Sequence, residues 1–159
     1  MSGTSIDAVD GALILTDGVN VLEFGPTVER KYTPSERQVL QVATQAALEW
    51  NWQGPQPEKA FGAARDVMVE THADAWRSLR EHAGHRNIEL AGVHGQTVLH
   101  KRATASERGA TLQLMDAQGL QSKMGVPLAY DFRSDDVAAG GQGAPLAPAY
   151  HQALLSSLG

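Results

Sequence analysis

The chain has 159 residues, no cysteine and a formal net charge of −5, with 42% hydrophobic and 19% charged residues. That is enough apolar chain for one buried core, and the absence of thiols rules out disulfides and thiolate zinc sites. The acidic balance argues against non-specific nucleic-acid binding, no run approaches the ~20 apolar residues that span a bilayer, and the start lacks a basic-then-apolar leader, so the expectation is a cytoplasmic protein with no membrane or nucleic-acid partner.

Ala8 to Leu15 is apolar and rich in strand formers. Asp17-Gly18 supplies a turn signal, and Val19 to Tyr32 carries a second strand pattern interrupted by Gly25-Pro26. An antiparallel hairpin or meander follows from this order. Pro34-Ser35-Glu36 reads as a helix start, and the apolar spacing of Val39, Leu40, Val42, Ala46, Ala47 and Trp50 continues it. Asn51 to Lys59 is a polar break with two prolines. A longer helix is predicted over about Glu58 to His82, with Phe61, Ala64, Met68, Ala75, Trp76 and Leu79 on one stripe and His72 among them. Asn87 to Val93 reads as a short strand ending at His94-Gly95, and Thr111 to Met115 as another. Asp116 to Met124 reads as a helix, Val126 to Tyr130 as a strand buried on both faces, Asp131 to Pro148 as loop, and Ala149 to Leu155 as the start of a last helix. Strands followed by alternating helices and strands predict an α/β or α+β layered domain. Trp50, Trp52 and Trp76 read as core or interface.

Three segments carry candidate chemistry. The opening GTSIDAVDG places a glycine, two hydroxyls and two carboxylates within Gly3 to Gly11. It reads either as a solvated turn capped by Ser or Thr, or as a loop whose amides face an anion, with Asp7 or Asp10 reaching a magnesium ion through water. It lacks the Walker pattern. The second segment is HGQTVLH, His94 to His100, at a predicted strand end where α/β sheets bind ligands. His94, Gln96 and Thr97 both donate and accept, as reading a sugar's hydroxyls requires. The alternative is a structural histidine, and the spacing of His94 and His100 lacks the one-turn logic of a helical metal pair. The third is DFRSDDVAAGGQGAPLAP, Asp131 to Pro148. Its carboxylates suit a general base, Arg133 suits bidentate pairing with a carboxylate or phosphate, and Gly140, Gly141 and Gly143 permit close backbone approach. A capped surface loop is the alternative here, and either Asp131 or Asp136 fits the base.

Together, MSGTSIDAVD, HGQT and DFRSDDVAAGGQGAPLAPAYH resemble the anhydro-N-acetylmuramic acid kinase family, in order and separation and over essentially the whole chain. The resemblance implies a ribonuclease H-like lobe of the sugar kinase, Hsp70 and actin superfamily, an α/β fold with a mixed sheet and flanking helices. Residues 1–159 would form the N-terminal, sugar-binding lobe of a two-lobed kinase, without the family's leading strand and without its C-terminal lobe. It further implies ATP and Mg²⁺ as cofactors, and an amino sugar, 1,6-anhydro-N-acetylmuramic acid, as substrate. Water opens the anhydro bridge while the 6-oxygen is phosphorylated, a step of cell-wall recycling. Gly3, Thr4, Ser5, Ile6, Asp7, Ala8, Val9 and Asp10 would bind the ATP phosphates, with Asp7 reaching the metal through water. Asp136 would be the base for the attacking water, and His94, Gln96, Thr97 and Arg133 would contact the sugar. A homodimer is also implied. Ala8 stands where many members carry glycine, and Met115 replaces a glycine common in the family's QIG segment. The competing expectations are a non-catalytic sugar-binding module or inactive remnant of such a kinase, and a glycosidase built on Asp131 and Asp136.

Overall fold

The computed structural model describes residues 5–104 and 106–156. Strands β1 (Ala8–Thr16) and β2 (Val21–Lys31) form an antiparallel hairpin. Its turn is made by the predicted residues. Asp17 Oδ1 accepts from the amides of Val19 and Asn20 at 2.9 and 2.7 Å, and Gly18 takes a φ of +90°. A side chain that replaces backbone partners in this way fixes a tight turn locally.

Helix α1 (Pro34–Trp50) starts at a complete capping box. Thr33 Oγ1 accepts from the Glu36 amide at 3.3 Å, and Glu36 Oε2 accepts from the Thr33 amide at 2.8 Å. Glu36 also receives the Arg30 guanidinium, whose second arm reaches Asp74 Oδ2 at 3.2 Å. Hydrogen bonding from Arg30 holds the Glu36 carboxyl down to about 2. The helix start, the hairpin and the next helix are thereby tied at one point.

Helix α2 (Glu58–Ala83) runs through the middle of the molecule. Phe61, Ala64, Met68 and Ala75 follow the 3.6-residue period and enter one core with Leu40, Ala43 and Ala47 of α1, Val9 of β1, Tyr32 just after β2, and Val98, Leu99 and Leu114 further along. Its other side, through Val69 and Ala73, packs with Val93 and Leu120. Each large side chain fully buried here contributes about 1.5–3 kcal/mol of transfer free energy. Trp50 meets the Phe61 ring edge-on at 6.0 Å, and Trp76 Nε1 donates to the Met124 carbonyl at 3.1 Å, so these tryptophans join elements as expected.

The remaining elements are short. Strand β3 (Ala91–Gly92) pairs in parallel with β6 (Leu128–Ala129), and β4 (Gln96–Lys101) pairs antiparallel with β5 (Ala110–Leu114). Helix α3 (Ala117–Met124) lies between β5 and β6 in sequence, capped by Asp116 Oδ1 on the Gly119 amide at 2.9 Å. Helices α4 (Phe132–Ala138) and α5 (Leu146–Ser156) follow. The architecture is mixed α/β, with five helices and three two-stranded sheets among the described residues.

Three expectations are corrected. The strand predicted over Asn87 to Val93 contracts to Ala91–Gly92, because β6 offers it a ladder of only two residues. HGQTVLH is largely strand, since Gln96 to Lys101 pairs with β5. The stretch from Asp131 to Pro148 is not all loop: it contains α4 and the first turn of α5.

His72 is buried on α2. Its Nδ1 donates to the Met68 carbonyl at 2.8 Å, while the enclosed Nε2 has no hydrogen-bond partner among the described residues. Burial pushes its pKa from 6.5 down to about 4. The folded value lies below the unfolded one, so the unfolded chain binds more protons in that window. The stability contribution is complete above pH 6.5 and is lost as pH falls toward about 4, an effect of up to about 3 kcal/mol. His72→Gln removes this part of the acid sensitivity. Urea unfolding of both proteins at pH 7 and pH 4.5 checks it, and equal pH slopes would contradict it.

Candidate active site

The site is built where β6 leads into α4. Asp131 takes a left-handed backbone, φ 56° and ψ 34°, unusual for a residue with a side chain. Its Oδ1 accepts from the Ser134 hydroxyl at 2.6 Å instead of capping the helix. On α4, Arg133, Asp136 and Val137 share one face through i, i+3 and i+4 spacing, and that face packs toward β5. Val137 is buried and helps seat the short helix.

The chain then doubles back. The Gly141 amide donates to the Asp136 carbonyl at 2.7 Å, and the Gly143 amide donates to Asp136 Oδ2 at 2.6 Å. A Cβ on Gly141 would lie 2.3 Å from that same oxygen. Gly143, at φ +76°, would bring a Cβ to 3.2 Å from His100 Cε1 and 3.5 Å from Arg133 Nε. The glycine run therefore lies directly on the Asp136 carboxylate and over the Arg133 side chain.

Strand β4 supplies the opposite wall. Thr97 Oγ1 accepts from Arg133 Nη1 at 3.0 Å and from Gln113 Nε2 at 3.4 Å, and Gln113 Nε2 also donates to Thr111 Oγ1 at 2.8 Å. Thr97 and Gln113 are register partners across β4 and β5. Gln96, the neighbour of Thr97, is turned inward and 1% exposed, as the two-residue period of a strand requires. Gly95 precedes it at φ +70°, where a Cβ would meet the Leu114 carbonyl oxygen at 2.9 Å, so only glycine fits this corner.

His94 closes the corner. Its Nδ1 lies 2.7 Å from the Gly95 carbonyl, which only accepts, so Nδ1 carries the proton and Nε2 presents a lone pair. Burial, opposed by that hydrogen bond and reinforced by Arg133, holds the imidazole below its ordinary pKa. Burial, then Arg133 and Arg102, does the same to His100. Both rings are therefore biased to the neutral form. His94, Gln113, Met115, Tyr130 and Asp131 line a cavity of about 90 Å³. A shallower depression of about 610 Å³ along α3 shares no residue with it and has no titratable side chain in its lining.

The opening loop is only partly visible: Gly3 and Thr4 lie outside the described residues. Ser5 and Asp7 are exposed, and Asp7 Oδ1 accepts from Ser5 Oγ at 2.7 Å and from the Ala8 amide at 3.0 Å. Those hydrogen bonds, Ser5 first, lower the Asp7 pKa. Ile6 (φ 52°), Ala8 and Val9 bury their side chains, so only their backbone is left for a ligand. Asp10 stands on β1 opposite Glu29. Hydrogen bonds thus bring Thr97, Arg133 and Gln113 together, and Gly143 joins Asp136 to the same corner. The loop is linked to it through packing, with Ile6 and Val9 sharing a core with Val98, Leu99 and Leu114.

The family model for anhydro-N-acetylmuramic acid kinase matches residues 1–158. The chain belongs to the anhydro-N-acetylmuramic acid kinase family. Relatives carrying that name are 49% identical in Phenylobacterium zucineum, 46% in Caulobacter vibrioides and 47% in Nitrobacter winogradskyi, each over 100% of this chain. The chain spans 43% of the length of each of them.

Within this kinase-family chain, Gln113, Thr111 and Tyr130 stand in or beside this corner although the motifs did not indicate them. The pairing of Thr97 with Gln113 depends on strand register, which no local pattern discloses. Tyr130 was visible only as the end of an apolar run. Asp131, the alternative base, accepts from Ser134, and among the described residues it makes no ion pair with Arg133. No group of three potential metal ligands occurs among the described residues.

Proposed function

We propose that this chain supplies the sugar-binding, ribonuclease H-like lobe of an ATP-dependent kinase that opens 1,6-anhydro-N-acetylmuramic acid with water and phosphorylates its 6-oxygen. The observation carrying this reading is the Asp136 carboxylate, held at Oδ2 by the Gly143 amide beside the Arg133–Thr97 pair. A carboxylate fixed by a backbone donor keeps a second oxygen for a water proton. Asp136 takes that proton as the water oxygen bonds to C1. The C1–O6 bond breaks, and its electron pair lets O6 take the terminal phosphoryl group, giving N-acetylmuramic acid 6-phosphate and ADP. His94 Nε2 accepts a sugar hydroxyl, and Thr97 orients the same face. Gln96, turned inward, acts on the sugar only through its backbone.

For the nucleotide, the described part of the opening loop offers a partial fit. The Ser5 hydroxyl and the Ala8 amide already serve Asp7. Asp7 Oδ2 accepts no hydrogen bond among the described residues, and an exposed carboxylate oxygen suits a magnesium ion held through water. When bound, that ion would neutralise phosphoryl charge. The remaining expected phosphate contacts fall on Gly3 and Thr4 and on the backbone from Ile6 to Asp10.

The test is ATP-dependent phosphate transfer to the anhydro sugar by the full gene product, followed by mass spectrometry. No added phosphate on the sugar would sink the reading, and ring opening without ATP would instead favour hydrolysis by Asp131 and Asp136. For the 159 residues by themselves, sugar binding without phosphate transfer is expected. A homodimer belongs to the same reading and is checked by sedimentation. No helix among the described residues is long and apolar enough to cross a membrane.

A further inference from the structure

His100 ends the HGQTVLH segment near the C-terminal end of β4 and does not line the corner cavity. It lies under the glycine run instead. A Cβ on Gly143 would come 3.2 Å from His100 Cε1, 3.2 Å from Val137 Cγ2 and 3.5 Å from Arg133 Nε. Gly143 is buried, so these three side chains wall a closed seat for it. The amide seated there is the one that donates to Asp136 Oδ2. Val137 is apolar, and Arg133 is tied to the Thr97 hydroxyl and keeps its charge at every working pH. The imidazole is the one wall of the seat that changes charge near neutral pH.

His100 Nδ1 is enclosed and has no hydrogen-bond partner among the described residues. A neutral ring can leave that nitrogen as a lone pair. In the imidazolium both nitrogens carry a proton, and an enclosed N–H would have nothing to donate to. The charges bearing on the ring are both positive: Arg133 from α4 and Arg102 just beyond β4. Lys101, next in the chain, is paired with Glu107, and the register partner on β5 is Thr111, which does not titrate. Burial and the two arginines hold the imidazole below its ordinary value of 6.5. Linkage requires the converse: a proton taken up by His100 favours a state in which Gly143 has lifted off the ring.

We infer that His100 is a positioning residue for Asp136: its neutral ring seats Gly143 so that the Gly143 amide holds the carboxylate, and the imidazolium unseats both. This rests on the kinase reading above, which makes Asp136 the base, and deepens it. The seat is complete above pH 6.5 and is lost as pH falls through the depressed value of the seated ring. His100 acts through Gly143 rather than on the sugar.

The experiment uses the full gene product with isotope-labelled glycine, as wild type and as His100→Phe, which keeps a ring under Gly143 and takes no proton. His94 is present in both and serves as the control for the other imidazole of the segment. An amide bonded to a carboxylate resonates downfield. In the wild type the Gly143 amide signal is expected to move upfield as pH falls from about 8 to about 5, with the midpoint of the His100 ring protons. In His100→Phe it is expected to hold still. The kcat for the anhydro sugar is followed alongside. With an ordinary pKa of 6.5, imidazolium exceeds the neutral ring by at most about tenfold at about pH 5.5. The fall in kcat from about pH 8 to about pH 5.5 is therefore expected to be up to about 10-fold smaller in His100→Phe, with the sugar KM unmoved. A wild-type Gly143 signal that stays in place, or one that moves alike in both proteins, overturns the inference. So does an equal fall of kcat in both. If His100→Phe does not fold, His100→Gln, which takes no proton either, replaces it. If neither protein transfers phosphate, the kinase reading fails, and the Gly143 titration decides this inference by itself.

Discussion

Asp136→Asn, placed in the full gene product, is expected to lower kcat by about 10²–10⁴-fold, the usual contribution of a general base. The KM for the sugar should change by less than about threefold, because the contacts that recognise substrate lie elsewhere. The substitution is nearly isosteric. An amide oxygen accepts from the Gly143 amide as Oδ2 does now, so the loop and α4 stay in place. What disappears is the capacity to take a proton from water. If kcat falls while calorimetric sugar affinity is retained, the base assignment stands. If the variant turns over normally, Asp131 becomes the base and the scheme above is wrong at its first step. If affinity and kcat fall together, Asp136 is a binding residue.

Gly141→Ala is expected to lower kcat by about 10- to 100-fold with a stability loss of no more than about 1–2 kcal/mol. The added methyl would lie 2.3–2.4 Å from the Asp136 carboxylate atoms, which are its three nearest neighbours. One of the two must move, and the carboxylate is the softer partner because it turns on its side-chain torsions. Turning takes Oδ2 away from the Gly143 amide, 2.6 Å distant, and spoils the base geometry. Kinetics and denaturant unfolding on the same preparation separate the outcomes. Loss of stability with normal kcat would mean that the backbone moves instead and that the glycine serves folding alone.

The sequence was most informative where signals are local. The hairpin turn rests on Asp17 and Gly18, the α1 start on Thr33, Pro34 and Glu36, and the α2 stripe on Phe61, Ala64 and Met68, each within a few residues of its effect. It was least informative where a short element is held by distant partners. Phe132 to Ala138 has the polar composition of a loop, yet it is helical because Val137 packs inward and Arg133 reaches Thr97 across the site. The strand from Gln96 to Lys101 was obscured because its polar residues read as a binding motif. At the site, the motifs supplied Asp136, Arg133, Thr97 and His94. They did not supply the geometry: that Gly143 tethers the Asp136 carboxylate, that Gln96 turns away from Thr97, or that Gln113 stands opposite Thr97. Each of these depends on register or on a loop closing over a helix, and neither is written in a contiguous segment.

The tether at Gly143 has a mechanical consequence. Gly143 is three residues from the first residue of α5, with Pro145 between them, and proline's locked φ makes that leash stiff. The amide gripping Asp136 and the helix that follows cannot shift independently. An ångström of travel in α5 would be felt as slack or strain at the carboxylate, so the setting of the Asp136 side chain and the seating of this helix are geared to one another.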